Sequence, residues 1–192
     1  SYWVLFMGVT KMNLAKEDGR EVHVSRGGFK HPEYNSQRIV NDIGLIQLLE
    51  DVSTSADIAI IPLTPPGKSY VGTNPTVAGF GVTGDSASTI SDVLRYTSMP
   101  VVDPDVCYNV YGDKDASQLC LETDKVMTSS CSGDSGGPLI LNDAQNKPFL
   151  IGATSFGARA GCAKGYPVGF TNLAIFVEWI SKSTGINFDT TK

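Results

Sequence analysis

Residues 131–138 read Cys-Ser-Gly-Asp-Ser-Gly-Gly-Pro, and they are the most informative stretch of this sequence. Glycines on both sides of Ser135 permit a tight turn that presents the serine hydroxyl together with nearby backbone amides. Such amides stabilise the oxyanion that forms when a serine attacks a carbonyl group, so Ser135 is a candidate nucleophile and the amides of Gly133 and Ser135 are candidate oxyanion donors. The residues by themselves leave a second interpretation equally open, a glycine-rich hairpin with an incidental serine.

Short β-rich runs surround this stretch and are separated by Gly and Pro turn signals. Runs of this length and spacing predict an all-β sandwich or barrel. The predicted strands cover residues 3–9, 21–24, 43–48, 76–79, 94–101, 138–141, 149–155 and 165–171.

The segment that begins at Leu173 departs from the β pattern. Its apolar residues recur at helical spacing, with charged residues on the other face and Gly185 as a C-terminal stop. These apolar residues are Ile175, Phe176, Trp179 and Ile180. We expect an amphipathic helix that packs on the body of the domain, in preference to a membrane or partner helix.

Composition excludes several classes of partner. The chain of 192 residues carries a formal net charge of -5, which would repel a phosphate backbone, so we expect no nucleic-acid partner. No apolar run is long enough for a membrane span, and we expect no membrane partner. The four cysteines form no Cys-x-x-Cys pair and only two histidines accompany them, so we expect neither a metal site nor a cofactor. Four cysteines allow three disulfide pairings, and an oxidising compartment suits any of them.

The first residues of the chain, 1–7, read Ser-Tyr-Trp-Val-Leu-Phe-Met. They lack an initiator Met, a basic leader and a small-residue cleavage site, so we interpret them as a strand and not as a signal peptide. The expectation that follows is a chain that begins inside a longer protein.

Residues 133–138, Gly-Asp-Ser-Gly-Gly-Pro, resemble the nucleophile motif of the chymotrypsin/trypsin family of serine proteases, and a six-residue match of this kind is highly specific. The resemblance continues through Gly-Phe-Gly at 79–81 and through residues 161–170, which are most similar to insect digestive chymotrypsins and collagenases. It implies an all-β fold of two six-stranded antiparallel β-barrels, the first of them incomplete in this chain, with a C-terminal α-helix. Within one peptidase domain, 1–192, residues 1–65 would form the rest of the first barrel, 66–172 mainly the second barrel and 173–188 the helix.

The resemblance also implies roles for residues outside the nucleophile motif. Residues 41–46, Asn-Asp-Ile-Gly-Leu-Ile, resemble the segment of the triad aspartate, so Asp42 would orient a histidine base. Without the resemblance, Asp42 is more readily explained as a residue that caps or turns the chain. Ser155 would approach Asp42, and Asp134 would pair with a new N-terminal amine after proteolytic activation.

The disulfides and the specificity pocket follow from the same resemblance. It pairs Cys107 with Cys120 and Cys131 with Cys162, the second bond bracing the pocket. The pocket would be lined by Ser129 at its floor and by Ser155, Phe156, Gly157 and Val168 on its walls. A floor without charge favours aromatic or large aliphatic side chains, because a buried Lys would remain unpaired. The branched side chain of Val168 would narrow the pocket and favour leucine or smaller residues.

The family's general base lies in an Ala-Ala-His-Cys segment, and this sequence contains no such segment. His31 lies in a polar, proline-marked stretch and His23 in a short strand, so we interpret both as structural. Two hypotheses follow. The preferred one is a secreted, monomeric serine endopeptidase with a digestive role, which would bind peptide substrates and proteinaceous inhibitors but would be inactive as the 192-residue chain. The alternative is a non-catalytic homologue that acts as a binding module.

Overall fold

The structure is a computed structural model, and it describes residues 2–12, 17–112 and 115–188. Strands predominate, and the bounds of the elements within these ranges are as follows. They are β1 (Trp3–Met7), β2 (Glu21–Ser25), β3 (Gly27–Lys30), β4 (Gly44–Gln47), β5 (Thr76–Gly79), β6 (Arg95–Ser98), β7 (Val101–Val102), α1 (Pro104–Tyr111), β8 (Gln118–Leu121), β9 (Pro138–Asn142), β10 (Pro148–Phe156), β11 (Val168–Asn172), a 3-10 turn (Leu173–Ile175) and α2 (Val177–Thr184).

The second half of the chain forms one antiparallel sheet in the order β6-β5-β9-β10-β11-β8-β7. Its two end strands, β6 and β7, are consecutive parts of one run that is interrupted only at residues 99 and 100. A sheet whose first and last strands belong to the same run closes on itself, so these seven strands form a barrel of six runs. The expected second barrel is confirmed.

The interior of this barrel is a continuous apolar core. The strands alternate in direction and their inward side chains meet at the centre, as expected for a small closed barrel. The residues with the least exposure are Met99, Leu121, Leu139, Ile151 and Phe170, each 0% exposed.

The first half of the chain forms two separate hairpins, β1-β2 and β3-β4. Within the described ranges no strand pairing joins them, so the first half contains no closed barrel, in agreement with the incomplete first barrel that the resemblance implied. The indole of Trp3 lies over Gly28 and so brings the two hairpins into contact, since a Cβ added to Gly28 would lie 3.0 Å from its ring.

The C-terminal helix covers β3-β4. It begins as a 3-10 turn, for which the side chain of Asn172 accepts a hydrogen bond from the amide of Ala174, and it ends at Gly185 in the left-handed conformation. The ring of Trp179 contacts Phe29 and His31, at centroid separations of 6.1 and 4.9 Å. None of the helices in the described ranges is both long and apolar enough to cross a bilayer.

Three elements were missing from the sequence prediction, namely β3, β8 and α1. Helix α1 nevertheless has a clear start signal, because the side chain of Asp103 accepts a hydrogen bond from the amide of Asp105 and Pro104 occupies the first turn. The predicted strand at 94–101 is divided at Met99 and Pro100, since Pro100 lacks the amide that a ladder needs.

Candidate active site

The turn that carries Ser135 is fixed to the barrel at its C-terminal side. Strand β9 begins at Pro138, directly after the turn. The amide of Gly136 donates to the carbonyl of Thr154 at 2.8 Å, and the amide of Thr154 donates to the carbonyl of Gly137 at 2.9 Å. Strand β10 therefore holds the backbone on the C-terminal side of Ser135.

The carboxylate of Asp134 fixes the N-terminal side of the same turn. Its Oδ1 accepts a hydrogen bond from the amide of Gly81 at 2.8 Å, and its Oδ2 accepts one from the amide of Cys131 at 2.9 Å. Asp134 also lines a cavity of about 410 Å³ behind the turn. Hydrogen bonds from backbone amides to an ionised carboxylate are among the stronger ones, so this contact rigidifies the turn.

The two candidate oxyanion donors lie on the solvent side of the turn. Gly133 has a φ of 97°, a conformation that a residue with a side chain rarely adopts. Within the described residues, the amides of Gly133 and Ser135 donate to no protein acceptor, and Ser135 is exposed. Both amides are therefore free to donate to a bound molecule.

Asp42 lies next to β10, just before β4. Its Oδ2 accepts a hydrogen bond from the hydroxyl of Ser155 at 2.7 Å, and its carbonyl accepts one from the hydroxyl of Thr171 at 2.6 Å. Burial raises the pKa of Tyr34, and the negative charge of Asp42 raises it further. The structure thus brings Asp42 and Ser155 together across 113 residues of sequence, with Ser155 adjacent to the strand residue that holds the turn of Ser135.

Both histidines contact other groups. The Nε2 of His23 lies 2.9 Å from Oε2 of Glu21. The ring of His31 packs against the rings of Phe176 and Trp179, and its Nδ1 accepts the amide hydrogen of Glu33 at 3.2 Å. Neither histidine lines the cleft beside Ser135 in the part of the chain that the structure describes.

A cleft of about 520 Å³ opens beside Ser135. Four of the five residues predicted for the pocket line it, namely Ser155, Phe156, Gly157 and Val168. Ser129 does not, because it lines the neighbouring cavity that Asp134 also borders, whereas the next residue, Ser130, lines the cleft.

The walls of the cleft are apolar at one end. A Cβ added to Gly157 would lie 3.5 Å from Cγ1 of Val168, so the valine side chain narrows the space beside Gly157. The ring of Phe156 is supported by Tyr111 in an edge contact with centroids 5.3 Å apart. Tyr111 was not among the predicted residues because α1 was not predicted, and the cap at Asp103 is the signal that would have indicated this helix.

Tyr111 donates its hydroxyl hydrogen to the carbonyl of Pro167. Burial raises the pKa of this phenol to about 12, with a smaller contribution from Tyr166. The phenol is therefore a neutral donor that connects α1 with the segment before β11.

Two disulfides are present, and they are the pairs that the resemblance implied. Cys107–Cys120 joins α1 to β8, and Cys131–Cys162 joins the turn of Ser135 to the far wall of the cleft. Asp85 and this second disulfide are the one group of potential metal ligands within the described residues. Disulfide sulfurs are not the thiolates that bind metals, so the group does not fit a metal.

Comparisons with known proteins show similarity to one family of proteins. The family model described as Trypsin matches residues 3–180. Brachyurin of Leptuca pugilator is 39% identical over 175 residues, which cover 91% of this chain and 74% of that protein. A trypsin of Xenopus laevis is 35% identical over 178 residues, which cover 91% and 70%. The solved structure of HL collagenase matches with a TM-score of 0.77 and 33% identity, covering 88% of this chain and 71% of that one.

Proposed function

The chain belongs to the trypsin family of serine proteases, and we propose that it provides the nucleophile, the orienting carboxylate and the oxyanion donors of a secreted serine endopeptidase. The observation that carries this proposal is the hydrogen bond from Ser155 to Asp42. It connects the candidate triad aspartate to β10, the strand that also holds the turn of Ser135.

The proposed reaction forms an acyl-enzyme. The oxygen of Ser135 attacks the peptide carbonyl while its proton passes to a histidine base, which Asp42 orients and stabilises once it is protonated. The amides of Gly133 and Ser135 stabilise the oxyanion. The base then protonates the leaving amine, and water releases the acyl group by the same route.

The histidine base is the part of this mechanism that the described residues do not supply. His23 is paired with Glu21 and His31 is packed among aromatic rings, so neither meets Ser135. We therefore propose that residues 1–192 by themselves hydrolyse peptides very slowly. The same observation favours the second candidate function, a homologue that binds peptides without cleaving them.

A fluorophosphonate probe separates the two functions, because it labels only a serine that is activated as a nucleophile. We expect rapid labelling at Ser135 in the protein purified from its natural source and slow labelling of the 192-residue chain expressed alone. Ser135→Ala is the control for the labelled residue. Absence of labelling in the natural protein would favour the binding module, and rapid labelling of the short chain would show that His23 or His31 acts as the base.

We propose that the cleft accepts apolar side chains, with leucine or smaller residues preferred. Val168 narrows the cleft beside Gly157, and the charged side chains that line it within the described residues are Asp85 and Arg159. The Oδ1 of Asp85 already accepts hydrogen bonds from the amides of Cys162 and Ala163, so this carboxylate is engaged with the wall of the cleft. Ser129 was expected to form the neutral floor, but it lines the neighbouring cavity, and its uncharged neighbour Ser130 lines the cleft.

A panel of peptides that differ only in the residue before the cleaved bond tests this preference. We expect kcat/KM for Leu to exceed that for Arg by at least about a hundredfold, because an unpaired cation is costly to desolvate. Faster cleavage after Arg than after Leu would contradict the assignment of the cleft.

We further propose where the protein acts, in which oligomeric state and with which partners. Two disulfides suit a secreted protein, and the digestive role, the monomeric state and the binding of proteinaceous inhibitors are proposals consistent with the family.

We propose that Asp134 receives an activating N-terminal amine, since its carboxylate borders an open cavity. We also retain the division into 1–65, 66–172 and 173–188 as the proposed organisation of one peptidase domain.

A further inference from the structure

Asp85 lies on the loop after β5 and reaches across to the far wall of the cleft. Its Oδ1 accepts a hydrogen bond from the amide of Cys162 at 2.7 Å and a longer one from the amide of Ala163 at 3.3 Å. These amides are 77 and 78 residues away in sequence, so the contact joins two loops that no strand pairing connects.

The backbone of the wall is shaped around this carboxylate. Gly161 has a φ of 126°, and a Cβ added to it would lie 2.4 Å from Oδ2 of Asp85. A side chain at this position would therefore collide with the carboxylate as well as strain the backbone. Lys164 adds only a long ion pair, with Nζ 4.0 Å from Oδ2 of Asp85, and such surface pairs contribute little.

The wall segment that Asp85 contacts, which contains Cys162, is connected to the turn of Ser135. Cys162 is bonded to Cys131, whose amide donates to Oδ2 of Asp134 inside the turn. One continuous path thus leads from Asp85 through the wall and the disulfide to the proposed nucleophile. A shift of the wall would change the width of the cleft and its distance from Ser135.

We propose that Asp85 is a positioning residue of the substrate cleft, which holds the wall segment 161–164 at the separation from Ser135 that a bound side chain requires. The proposal rests on the proposed function for its effect on catalysis. The contact itself does not depend on that function, and it is measurable without turnover.

Hydrogen exchange of the full chain tests the contact directly. Asp85→Ala removes a charged acceptor from two amides, and we expect exchange at Cys162 and Ala163 to become about tenfold faster, with the barrel strands unchanged. Asp85→Asn keeps an acceptor oxygen of the same shape, so we expect its exchange to stay within about threefold of wild type. Asp92→Ala is the matched control, because Asp92 is an exposed aspartate of the same connection whose carboxylate has no partner among the described residues. Unchanged exchange in Asp85→Ala would overturn the proposal.

Kinetics of the active protein test the effect on substrate. We expect Asp85→Ala to raise KM for a leucine peptide about tenfold with little change in kcat, and Asp85→Asn to restore most of the loss. Equal losses in kcat for both variants would overturn a positioning role. Selective loss of cleavage after Arg would also overturn it, since the carboxylate would then be a substrate ligand. If wild type showed no turnover, the proposed function would fail while the exchange experiment still decided the role of Asp85.

Discussion

The closed barrel and the two front hairpins, β1-β2 and β3-β4, are built from similar strands but bury their side chains very differently. In the barrel, the inward residues of every strand meet one another, and Val77 of β5 is 4% exposed. In the front hairpins, Val22 of β2 is 55% exposed and Phe6 of β1 is 43% exposed. Strand propensity alone therefore does not create a core, because burial requires a second layer to cover the inward face.

Of the two front hairpins, β3-β4 takes part of its cover from the C-terminal helix. A small second core joins Leu173, Phe176 and Ile180 to partly buried residues of the first half, which include Ile43 and Leu45. The candidate site spans this junction, because Asp42 comes from the front region and Ser135 and Ser155 come from the barrel. The geometry of the candidate site consequently depends on the less well covered region.

Trp179→Ala gives the largest expected effect, because it removes the ring that contacts both Phe29 and His31. Loss of a largely buried tryptophan costs about 3 kcal/mol. We expect β3-β4 to open locally, so that its amides exchange about a hundredfold faster while those of the barrel do not change. Trp179→Phe is the control, since it retains a ring. Equal acceleration in the barrel strands would show that the two regions unfold as one unit.

A matched pair of valines measures the difference in burial. Val77→Ala removes two methyl groups from the barrel core and should lower the free energy of unfolding by about 2 kcal/mol. Val22→Ala removes the same groups from an exposed strand face and should change it by less than about 0.5 kcal/mol. Denaturant titration of both variants checks the values. Similar losses in the two would mean that the face of β2 is covered in solution.

The parts of the fold that were predicted are those encoded by neighbouring residues. The strand at 76–79 was predicted with its observed bounds, and the others mostly to within a few residues, because alternation and turn signals lie within each segment. The eight residues of α1 give too few turns for a clear apolar period, so its cap at Asp103 was the stronger signal. Strand β3 begins with two glycines and β8 contains no β-branched or aromatic residue, so both strands have a weak β-propensity signal.

The parts of the site that were not predicted depend on contacts between distant segments. Asp85 meets Cys162 and Tyr111 supports Phe156 only because the barrel closes. Ser129 was misplaced for a different reason. It lies in an irregular segment, in which the sequence does not indicate which way each side chain points, so Ser129 lines one cavity while the adjacent Ser130 lines the cleft. The motif around Ser135 identified the family, whereas the walls of the cleft required the fold.

The smallest expected effect concerns Tyr111, which links the α1 segment to the barrel wall through the carbonyl of Pro167. Burial raises the pKa of its phenol from an ordinary value of 10.0 to about 12, so the folded state favours the neutral form. Between these two values the unfolded chain loses a proton that the folded chain keeps, and stability must fall as the pH rises. Tyr111→Phe removes this dependence of stability on pH. At pH 8 the substitution also removes the hydrogen bond to the carbonyl of Pro167, which costs about 1 kcal/mol.

Urea titrations at pH 8 and pH 11 measure the difference between wild type and Tyr111→Phe. We expect Tyr111→Phe to be less stable than wild type at pH 8. At pH 11 we expect this difference in the free energy of unfolding to close or reverse, because only wild type loses stability as the pH rises above the ordinary pKa of its phenol. Tyr96→Phe is the control for removing a hydroxyl from a ring that is 80% exposed. A gap that stays constant between the two pH values would show that Tyr111 is not buried against the wall, and it would weaken the contrast between a well packed barrel and an open front region.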